Sequence, residues 1–297
     1  MAGEAPAAAA GTISLGDGCA VNRLGLGAMR ITGAGVWGPP PDRAEAVRVL
    51  RRAVELGVQF IDTADSYGPD VSEELIAEAL RPYPDGVVVA TKGGYLRDGP
   101  DQWRPDGRPE HLRAACEASL RRLGVDQIAL YQFHVPDPTV PFEESVGALV
   151  QLRDEGKIAR IGLSNVDVDQ VRAALALTPV ASVQNRYNAA ARSSDPVVDL
   201  ADEVGFAFIP WAPVGGRRPG EGRALEAVAL RHGATPVQAA IAWLLARSSQ
   251  MLPIPGTGSV THLEENVAAA AVELTERDLA DLATVPRPPR SPRRLSG

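Results

Sequence analysis

The 297-residue sequence has few cysteines, few lysines and no long apolar run. Its two cysteines, Cys19 and Cys116, lie far apart and form no metal-binding or redox motif, which favours reduced thiols in a cytoplasmic protein. No apolar run approaches the ~18 residues that span a bilayer, and the N-terminal segment lacks the basic start and apolar core of a signal peptide. We therefore expect neither export nor membrane insertion.

Positive charge is also scarce. Asp and Glu number 37 against 30 Lys and Arg, and the formal net charge is −7. This balance argues against nucleic acid or an anionic membrane as the main partner. Hydrophobic residues make up 45% of the chain, which is enough for a substantial core. The composition predicts a globular protein.

Short apolar segments alternate with amphipathic ones along most of the chain. A hairpin is predicted at residues 12–15 and 19–24. Eight strands follow, at residues 24–29, 60–64, 87–92, 128–134, 159–164, 182–188, 206–212 and 251–257.

Helical periodicity is found in the segments between these strands and after the last one. Helices are predicted within residues 41–57, 109–124, 142–156, 168–177, 195–205, 235–248, 262–271 and 275–283. Thr275 and Asp278 have the spacing of a capping box at the start of the last one.

Alternating strands and helices favour a parallel sheet. Eight such units in a chain near the typical size of ~250 residues predict an α/β fold, a (β/α)8 TIM barrel with an N-terminal β-hairpin and a late C-terminal helix. Two doubly wound domains are the alternative, but the glycine-rich segment 22–35 lacks the last glycine of a dinucleotide-binding fingerprint. We expect a disordered lead at residues 1–11, a single domain at 12–285 and a mobile basic tail at 286–297.

Polar residues end several of the predicted strands, where a barrel of this kind has its active site. Asp62, Lys92 and His134 end the second, third and fourth strands, and Tyr67 follows Asp62 closely. Each also has a purely structural explanation: Asp62 could cap a turn, and a single histidine is more often a satisfied structural residue. Lysine is rare here, with two among 30 basic residues, so Lys92 after an apolar strand is suggestive.

Together these four residues predict a proton-transfer site. Asp62 would offset the burial of Lys92, and the Lys92 ammonium would lower the pKa of the Tyr67 phenol. His134 would orient a substrate oxygen. Such an acid suits carbonyl reduction, for which a cofactor must supply the hydride. A metal site is not expected, because of the four histidines only His134 falls at a strand end.

The series FIDTADSYG, ATKGG, YQFH, IGLSN, VQNRYN, PWAPVGG and IPGTGSVTHLEEN resembles the aldo-keto reductases over residues 13–284. The resemblance implies a monomer-sized barrel that binds extended NADPH and reduces aldehydes or ketones. It makes Asp62, Tyr67, Lys92 and His134 the catalytic tetrad, with Tyr67 as general acid.

The resemblance also implies a cofactor site. Groups at the end of the fifth strand and in the sixth strand would hold the nicotinamide carboxamide, an aromatic residue would stack on its ring, and later segments would contact the pyrophosphate and adenosine. The residues so assigned are Ser164, Asn165, Gln184, Trp211, Ala212, Pro213, Val214, Gly215, Gly256, Thr257, Gly258, His262, Glu265 and Asn266.

One departure from the family pattern concerns the 2′-phosphate of NADPH. Many members have Lys or Arg in the segment that here reads GTGSVTHLEEN, where His262 is the one candidate cation. Thr257, Ser259 and backbone amides at the helix start can still hold phosphate. Arg217 and Arg218 are further candidates. We expect NADPH to be preferred, with NADH as a possible cofactor.

The substrate is expected to be a small carbonyl compound. The chain is most similar in appearance to a bacterial branch that includes pyridoxal reductases, which implies pyridoxal or an aromatic aldehyde. An aromatic pocket is predicted from Met29, Trp37, Tyr95, Trp103 and Phe133, with residues 95–111 as a substrate loop. Packing of that loop is an equal explanation for Trp103.

A second function class remains open on sequence grounds. Proteins that resemble this family act as nucleotide-binding regulatory partners, such as ion-channel β subunits, and can retain the tetrad. The intact tetrad favours the enzyme. We expect a monomer, with a weak homo-oligomer as the alternative.

Overall fold

A hairpin and a short helix precede the barrel in the computed structural model, which describes residues 5–215 and 221–285. Strands β1 (Thr12–Ser14) and β2 (Ala20–Asn22) are antiparallel, as predicted. The disorder predicted for the lead is wrong for Pro6–Ala10, which form a 3-10 helix. Ala7 of this helix is fully buried, and its backbone N–H donates to Leu56 O, so the lead is held by packing and hydrogen bonding.

Seven parallel strands form the main sheet, in the spatial order β11-β10-β9-β8-β5-β4-β3. All seven lie within predicted strands or extend them by one residue. Their bounds are Leu26–Gly27 (β3), Phe60–Asp62 (β4), Val88–Gly93 (β5), Leu130–Phe133 (β8), Ile161–Ser164 (β9), Ser182–Arg186 (β10) and Ala207–Trp211 (β11). Strands β6 (Tyr95–Gly99) and β7 (Gln102–Pro105) form a separate hairpin within the predicted substrate loop.

The predicted eighth strand closes the barrel without forming a regular strand. Leu252 N donates to Phe208 O of β11, and on the other side Gly25 N donates to Pro253 O. Prolines at 253 and 255 lack the N–H groups that a continuous ladder needs, which explains the irregular pairing. The chain therefore forms the predicted α/β barrel.

Bare glycine backbone allows the two ends of the sheet to meet. A Cβ atom on Gly27 would lie 2.8 Å from Ile254 O, and one on Gly256 would lie 2.8 Å from Gly27 O. Both distances are too short for any side chain. Both Gly27 and Gly256 are therefore required to be glycine where β3 meets the segment that closes the barrel.

Helices surround the sheet. Their bounds are Arg43–Glu55 (α1), Val71–Leu80 (α2), Pro109–Leu123 (α3), Phe142–Asp154 (α4), Val168–Leu175 (α5), Asp195–Val204 (α6), Glu221–Arg231 (α7), Pro236–Arg247 (α8), Val260–Ala268 (α9) and Glu276–Ala283 (α10). The capping box at Thr275 is confirmed. Helices α2 and α7 were not predicted; α2 begins after Asp70, which has φ +70° and no side-chain cap, so the usual start signal is missing.

The N-terminal hairpin covers one end of the barrel. Ile13, Leu15 and Val21 pack in one cluster with interior residues such as Phe60 and Leu130. This end is filled with apolar side chains, which leaves the carboxyl ends of the strands as the open rim. No helix among the described residues is long and apolar enough to cross a membrane. The predicted tail at 286–297 and Arg217 and Arg218 lie outside the described residues.

We predict that Gly27→Ala lowers the free energy of unfolding by about 1–3 kcal/mol, because its Cβ would press on the backbone of the closing segment. Urea unfolding followed by circular dichroism measures the change. Gly147→Ala in α4 is the matched control: apart from the adjacent residues and the nearby backbone of α4 itself, nothing lies within 4 Å of its Cβ position. It should raise the unfolding free energy by about 0.5–1 kcal/mol. Equal effects of the two changes would contradict the close approach at the seam.

Candidate active site

A buried ion pair lies at the centre of the open rim. Lys92 Nζ is 2.6 Å from Asp62 Oδ2, and the two side chains are 0% and 2% exposed. The ammonium also donates to Thr63 O at 2.8 Å and lies 3.4 Å from the Tyr67 hydroxyl. Burial by itself would lower the pKa of Lys92, but the Asp62 carboxylate and Tyr67 outweigh it and raise the pKa. The lysine is therefore a fixed positive charge beneath the rim.

Two glutamine side-chain amides donate hydrogen bonds to the second carboxylate oxygen of Asp62. Gln132 Nε2 donates to Asp62 Oδ1 at 3.0 Å, and Gln184 Nε2 donates to the same oxygen at 2.8 Å. Gln132 was not predicted as a site residue; its register partner is Lys92, so a paired-strand alignment could have found it. Gln184, which the resemblance assigns to the carboxamide, has its amide on Asp62 and Gln132 here.

Tyr67 points its hydroxyl at this pair. Its side chain is buried, and burial raises the pKa of the phenol while Lys92 lowers it. The net shift is upward from 10.0, so the predicted net lowering is wrong in direction. The phenol is consequently protonated at neutral pH.

His134 lies beside Tyr67 with its ring edge-on, at 5.9 Å between ring centroids. Burial, the Lys92 ammonium and the Arg97 guanidinium together hold the pKa of His134 well below 6.5. The imidazole is neutral at pH 7. Nδ1 is 3.4 Å from the Ser66 hydroxyl, a residue that the sequence left without a role.

Aromatic rings from the β6–β7 hairpin cover the same place. Tyr95 lies 4.7 Å from the His134 ring, and Trp103 lies 5.3 Å from Tyr95 and 6.3 Å from Tyr67. Trp37 is 36% exposed on the adjoining loop, and Met29 is half-buried just after β3.

Phe133 is a correction to the predicted pocket. Its ring is fully buried and packs on Phe142 of α4 at 6.1 Å. It alternates along β8 with Gln132 and His134, whose side chains face the site, so its ring faces the helix layer instead. It cannot line a substrate pocket.

Arg97 fastens the hairpin over the site. Its guanidinium donates to Ser66 O, Val36 O and Gly35 O at 2.7–2.9 Å and lies 3.7 Å from the centroid of Trp103. These bonds join the hairpin to two other loops, one at residues 35–36 and one at Ser66. The sequence did not indicate this role, because the partners are backbone carbonyl groups.

A buried network supports the strand that carries Lys92. The Thr91 hydroxyl donates to Glu73 Oε1 at 2.5 Å, and Arg122 Nε donates to Glu73 Oε2 at 2.6 Å. Burial and the nearby Glu73 carboxylate raise the pKa of Asp65 well above its usual range. The network connects β5, α2 and α3 directly behind the site.

The residues assigned to the nicotinamide end form a connected rim. Asn165 adopts φ +59°, donates to His134 O at 3.0 Å, and accepts a hydrogen bond from Trp211 Nε1 at 3.0 Å. The Ser164 hydroxyl donates to Gln184 O at 2.9 Å. Trp211 is half-buried at the end of β11. Asn165 thus links the Trp211 side chain to the backbone of His134.

The residues assigned to the adenosine end lie in the turn after the closing segment and in α9. Gly256, Gly258 and His262 are exposed, whereas Thr257 and Asn266 are buried. The loop of Ala212, Pro213, Val214 and Gly215 follows Trp211, and Glu265 lies half-buried on α9. A dinucleotide needs this combination: a polar pocket at one end, and accessible backbone without Cβ atoms at the other.

Arg30 is a candidate that the sequence reasoning missed. Its Cγ lies 3.6 Å from the Cβ position of Gly256, and its side chain is exposed. The contact joins residues at opposite ends of the chain, so no local motif could reveal it. It places a cation beside the glycine-rich turn.

The described parts of the chain contain no group of three or more His, Cys, Asp and Glu side chains placed to hold a metal ion.

We predict that stability falls as the solution becomes acidic below pH ~6.5, partly because of His134. Its pKa is depressed in the folded state, so the unfolded chain binds a proton that the folded chain does not. This single group should make the folded protein less stable at pH 5 than at pH 7.5. Urea unfolding at both pH values measures the loss, and His134→Gln should make the loss smaller. An unchanged loss in the variant would show that His134 is not the group responsible.

Comparisons with known proteins agree with this geometry. The family model for the aldo/keto reductase family matches residues 23–286. A pyridoxine 4-dehydrogenase of Escherichia coli (strain K12) is 44% identical over 273 residues, which cover 90% of this chain and 96% of that protein. An uncharacterised oxidoreductase of Schizosaccharomyces pombe is 47% identical over 277 residues, covering 93% of this chain and 90% of that protein.

Solved structures give the same result. An aldo-keto reductase from Klebsiella pneumoniae in complex with NADPH has a TM-score of 0.78 at 29% identity, covering 94% of this chain and 96% of that one. A glycerol dehydrogenase from Gluconobacter oxydans has a TM-score of 0.84 at 26% identity, covering 95% and 98%. The chain belongs to the aldo/keto reductase family and is an oxidoreductase.

Proposed function

We propose that this protein reduces an aldehyde or ketone to the alcohol with NADPH, and that Tyr67 is the general acid. The observation that carries the proposal is the position of the Tyr67 hydroxyl, 3.4 Å from a buried lysine and beside a neutral histidine. NADPH, when bound, supplies the hydride to the carbonyl carbon. The side chains of this protein supply the proton and the electrostatic support.

Tyr67 carries the proton that the product oxygen needs. Its raised pKa keeps the phenol protonated before the reaction. As negative charge develops on the substrate oxygen, the phenol O–H bond breaks and the proton moves to that oxygen. The Lys92 ammonium then stabilises the phenolate that remains, and solvent returns the proton to Tyr67. Lys92 thus stabilises the negative charge that develops on Tyr67 during the reaction, although it does not lower the pKa of the resting Tyr67 phenol below 10.0.

Asp62 and His134 have supporting roles in this scheme. Asp62 keeps Lys92 charged and aimed at the phenol, since it accepts from the ammonium and from two glutamine amides. His134 is neutral, so it hydrogen-bonds the substrate oxygen without adding a positive charge that would compete with Tyr67 for the proton.

The cofactor would lie along the rim from Trp211 to α9. Ser164 and Asn165 would face the carboxamide, and Trp211 would cover the nicotinamide ring. The exposed backbone at Gly256 and Gly258 fits phosphate groups, and Arg30 adds a cation there. Support also comes from the Klebsiella relative, whose structure is a complex with NADPH.

We propose an aromatic aldehyde, with pyridoxal as the first compound to test. Tyr95 and Trp103 present ring edges and faces beside His134, and a flat aromatic substrate fits such a wall. The name of the Escherichia coli relative, pyridoxine 4-dehydrogenase, supports the same choice. The monomeric state, the cytoplasmic location and the domain boundaries stay predictions.

Tyr67→Phe should lower kcat by roughly a hundredfold or more while cofactor affinity stays near the wild-type value, because the change removes the transferable proton alone. Turnover is followed by the loss of reduced-nicotinamide absorbance with pyridoxal and benzaldehyde. Tyr95→Phe is the matched control: it makes the same chemical change in the neighbouring ring and should retain most of the activity. Undiminished turnover in Tyr67→Phe would rule out Tyr67 as the general acid. A wild-type protein that binds the cofactor but reduces no aldehyde would favour the regulatory alternative.

Trp103→Ala should raise KM for aromatic aldehydes roughly tenfold, since it removes the ring that stacks against the substrate. The KM of a short aliphatic aldehyde should change much less. Trp103→Phe keeps an aromatic surface and should recover most of the affinity. If both aldehydes respond equally to Trp103→Ala, the tryptophan packs the hairpin and does not select the substrate.

A further inference from the structure

A carboxylate occupies the start of the helix next to the glycine-rich turn. Glu45 Oε1, from α1, accepts a hydrogen bond from the backbone N–H of Val260 at 2.9 Å. Val260 is the first residue of α9. The same carboxylate is bound by Arg48, with Nε at 2.9 Å and Nη2 at 2.6 Å from Oε2. Glu45, which is far from α9 in sequence, thus accepts a hydrogen bond from a backbone amide at the start of α9.

Two of the backbone amides at the start of α9 already have partners within the protein. The Val260 N–H is bound by Glu45, and the Ser259 N–H donates to the Thr257 hydroxyl at 3.1 Å. A helix start attracts anions through such N–H groups and its partial positive charge. Here an internal anion already satisfies part of that attraction.

Glu45 is negatively charged at neutral pH. The Val260 amide and the Arg48 guanidinium lower the pKa of its carboxyl group. The pairing also binds Arg48, which has no other acidic partner within 3.5 Å among the described residues; Asp42 lies 3.9 Å away. Arg48 is therefore a cation close to the helix start whose charge is already neutralised.

We propose that Glu45 is a specificity-determining residue for the cofactor, and that it shifts the protein away from strict NADPH selectivity towards use of both NADPH and NADH. The carboxylate repels a 2′-phosphate and keeps Arg48 from pairing with it. It can instead accept a hydrogen bond from the 2′-hydroxyl of NADH, a recognition chemistry that acidic residues provide in other nucleotide sites. This inference rests on the proposed cofactor site.

The consequence is a charge arrangement with opposite effects on two parts of the cofactor. Arg30 lies on one side of the glycine-rich turn, where a cation favours any dinucleotide. Glu45 lies at the start of α9, where we place the 2′-phosphate. Residues 256–262 contain no Lys or Arg, and the structure adds a carboxylate at the start of the helix that follows the glycine-rich turn.

The experiment compares dissociation constants of the full chain for NADPH and NADH, measured by quenching of tryptophan fluorescence. Adenosine 2′,5′-bisphosphate and AMP are titrated in parallel by calorimetry, so that the result does not depend on the nicotinamide or on turnover. Glu45→Gln keeps an oxygen that can accept from Val260 N–H but removes the charge and frees Arg48. It should tighten binding of NADPH and of the bisphosphate roughly fivefold. NADH and AMP should bind no more tightly than to the wild type.

Two further variants make the result specific. Glu55→Gln removes a carboxylate from the far end of the same helix, α1, and should leave the ratio of the two dissociation constants unchanged. Adding Arg48→Met to Glu45→Gln should remove much of the gain for NADPH, because the freed cation is lost. A Glu45→Gln variant whose ratio equals that of the wild type would overturn the proposal, as would equal tightening of both cofactors.

The outcomes also separate this inference from the proposed function. If the wild-type protein binds both cofactors but reduces no aldehyde, carbonyl reduction is contradicted. The role of Glu45 is then decided by the ratio of the NADPH and NADH dissociation constants alone. Active protein with an unchanged ratio in Glu45→Gln would contradict the role of Glu45 alone. Failure of the wild type to bind either nucleotide would contradict both.

Discussion

The structure depends on a charge held where water cannot reach it. Lys92 is fully buried, and an unpaired ammonium at that depth would not be tolerated. Asp62 supplies the opposite charge from the adjoining strand, and Thr63 O accepts a second hydrogen bond. The remaining carboxylate oxygen takes two amides, from Gln132 and Gln184. Such a pair is held in one geometry because every alternative would leave a buried polar atom without a partner.

This pair gives the open rim its chemistry. Its position on the barrel axis follows from closure, because β4, β5, β8 and β10 each bring one side chain to the same place. Closure in turn relies on Gly27 and Gly256, where a Cβ atom would separate the first and last segments. The same bare backbone then continues into the turn where we propose that a nucleotide phosphate binds. Barrel closure and the proposed cofactor site thus share one requirement.

Loops, not strands, surround the open side of the Lys92–Asp62 ion pair, where a substrate or cofactor would enter. Arg97 binds carbonyl groups of two other loops and holds Trp103 against its guanidinium face. Tyr95 and Trp103 are then fixed beside His134, whose low pKa owes part of its shift to the same arginine. At the other end, Glu45 reaches from α1 to α9 and changes the charge that a cofactor would meet. Both Arg97 and Glu45 lie where we propose that substrate and cofactor are selected, and neither is bonded to the ion pair.

The sequence by itself was enough to predict the barrel, seven of its strands to within a few residues, and the meeting of Asp62, Tyr67, Lys92 and His134. These follow from local periodicity and from the rule that parallel strands end on one rim. The tertiary structure decided what local pattern cannot encode. Phe133 is an exception, since its outward orientation follows from alternation with Gln132 and His134 along β8, and its packing on Phe142 agrees with that pattern. Burial raised the pKa of Tyr67 against the effect of Lys92, since desolvation depends on the whole surrounding shell. Arg97, Arg30 and Glu45 gained their positions through contacts between distant segments, and such contacts exist only once the chain has folded.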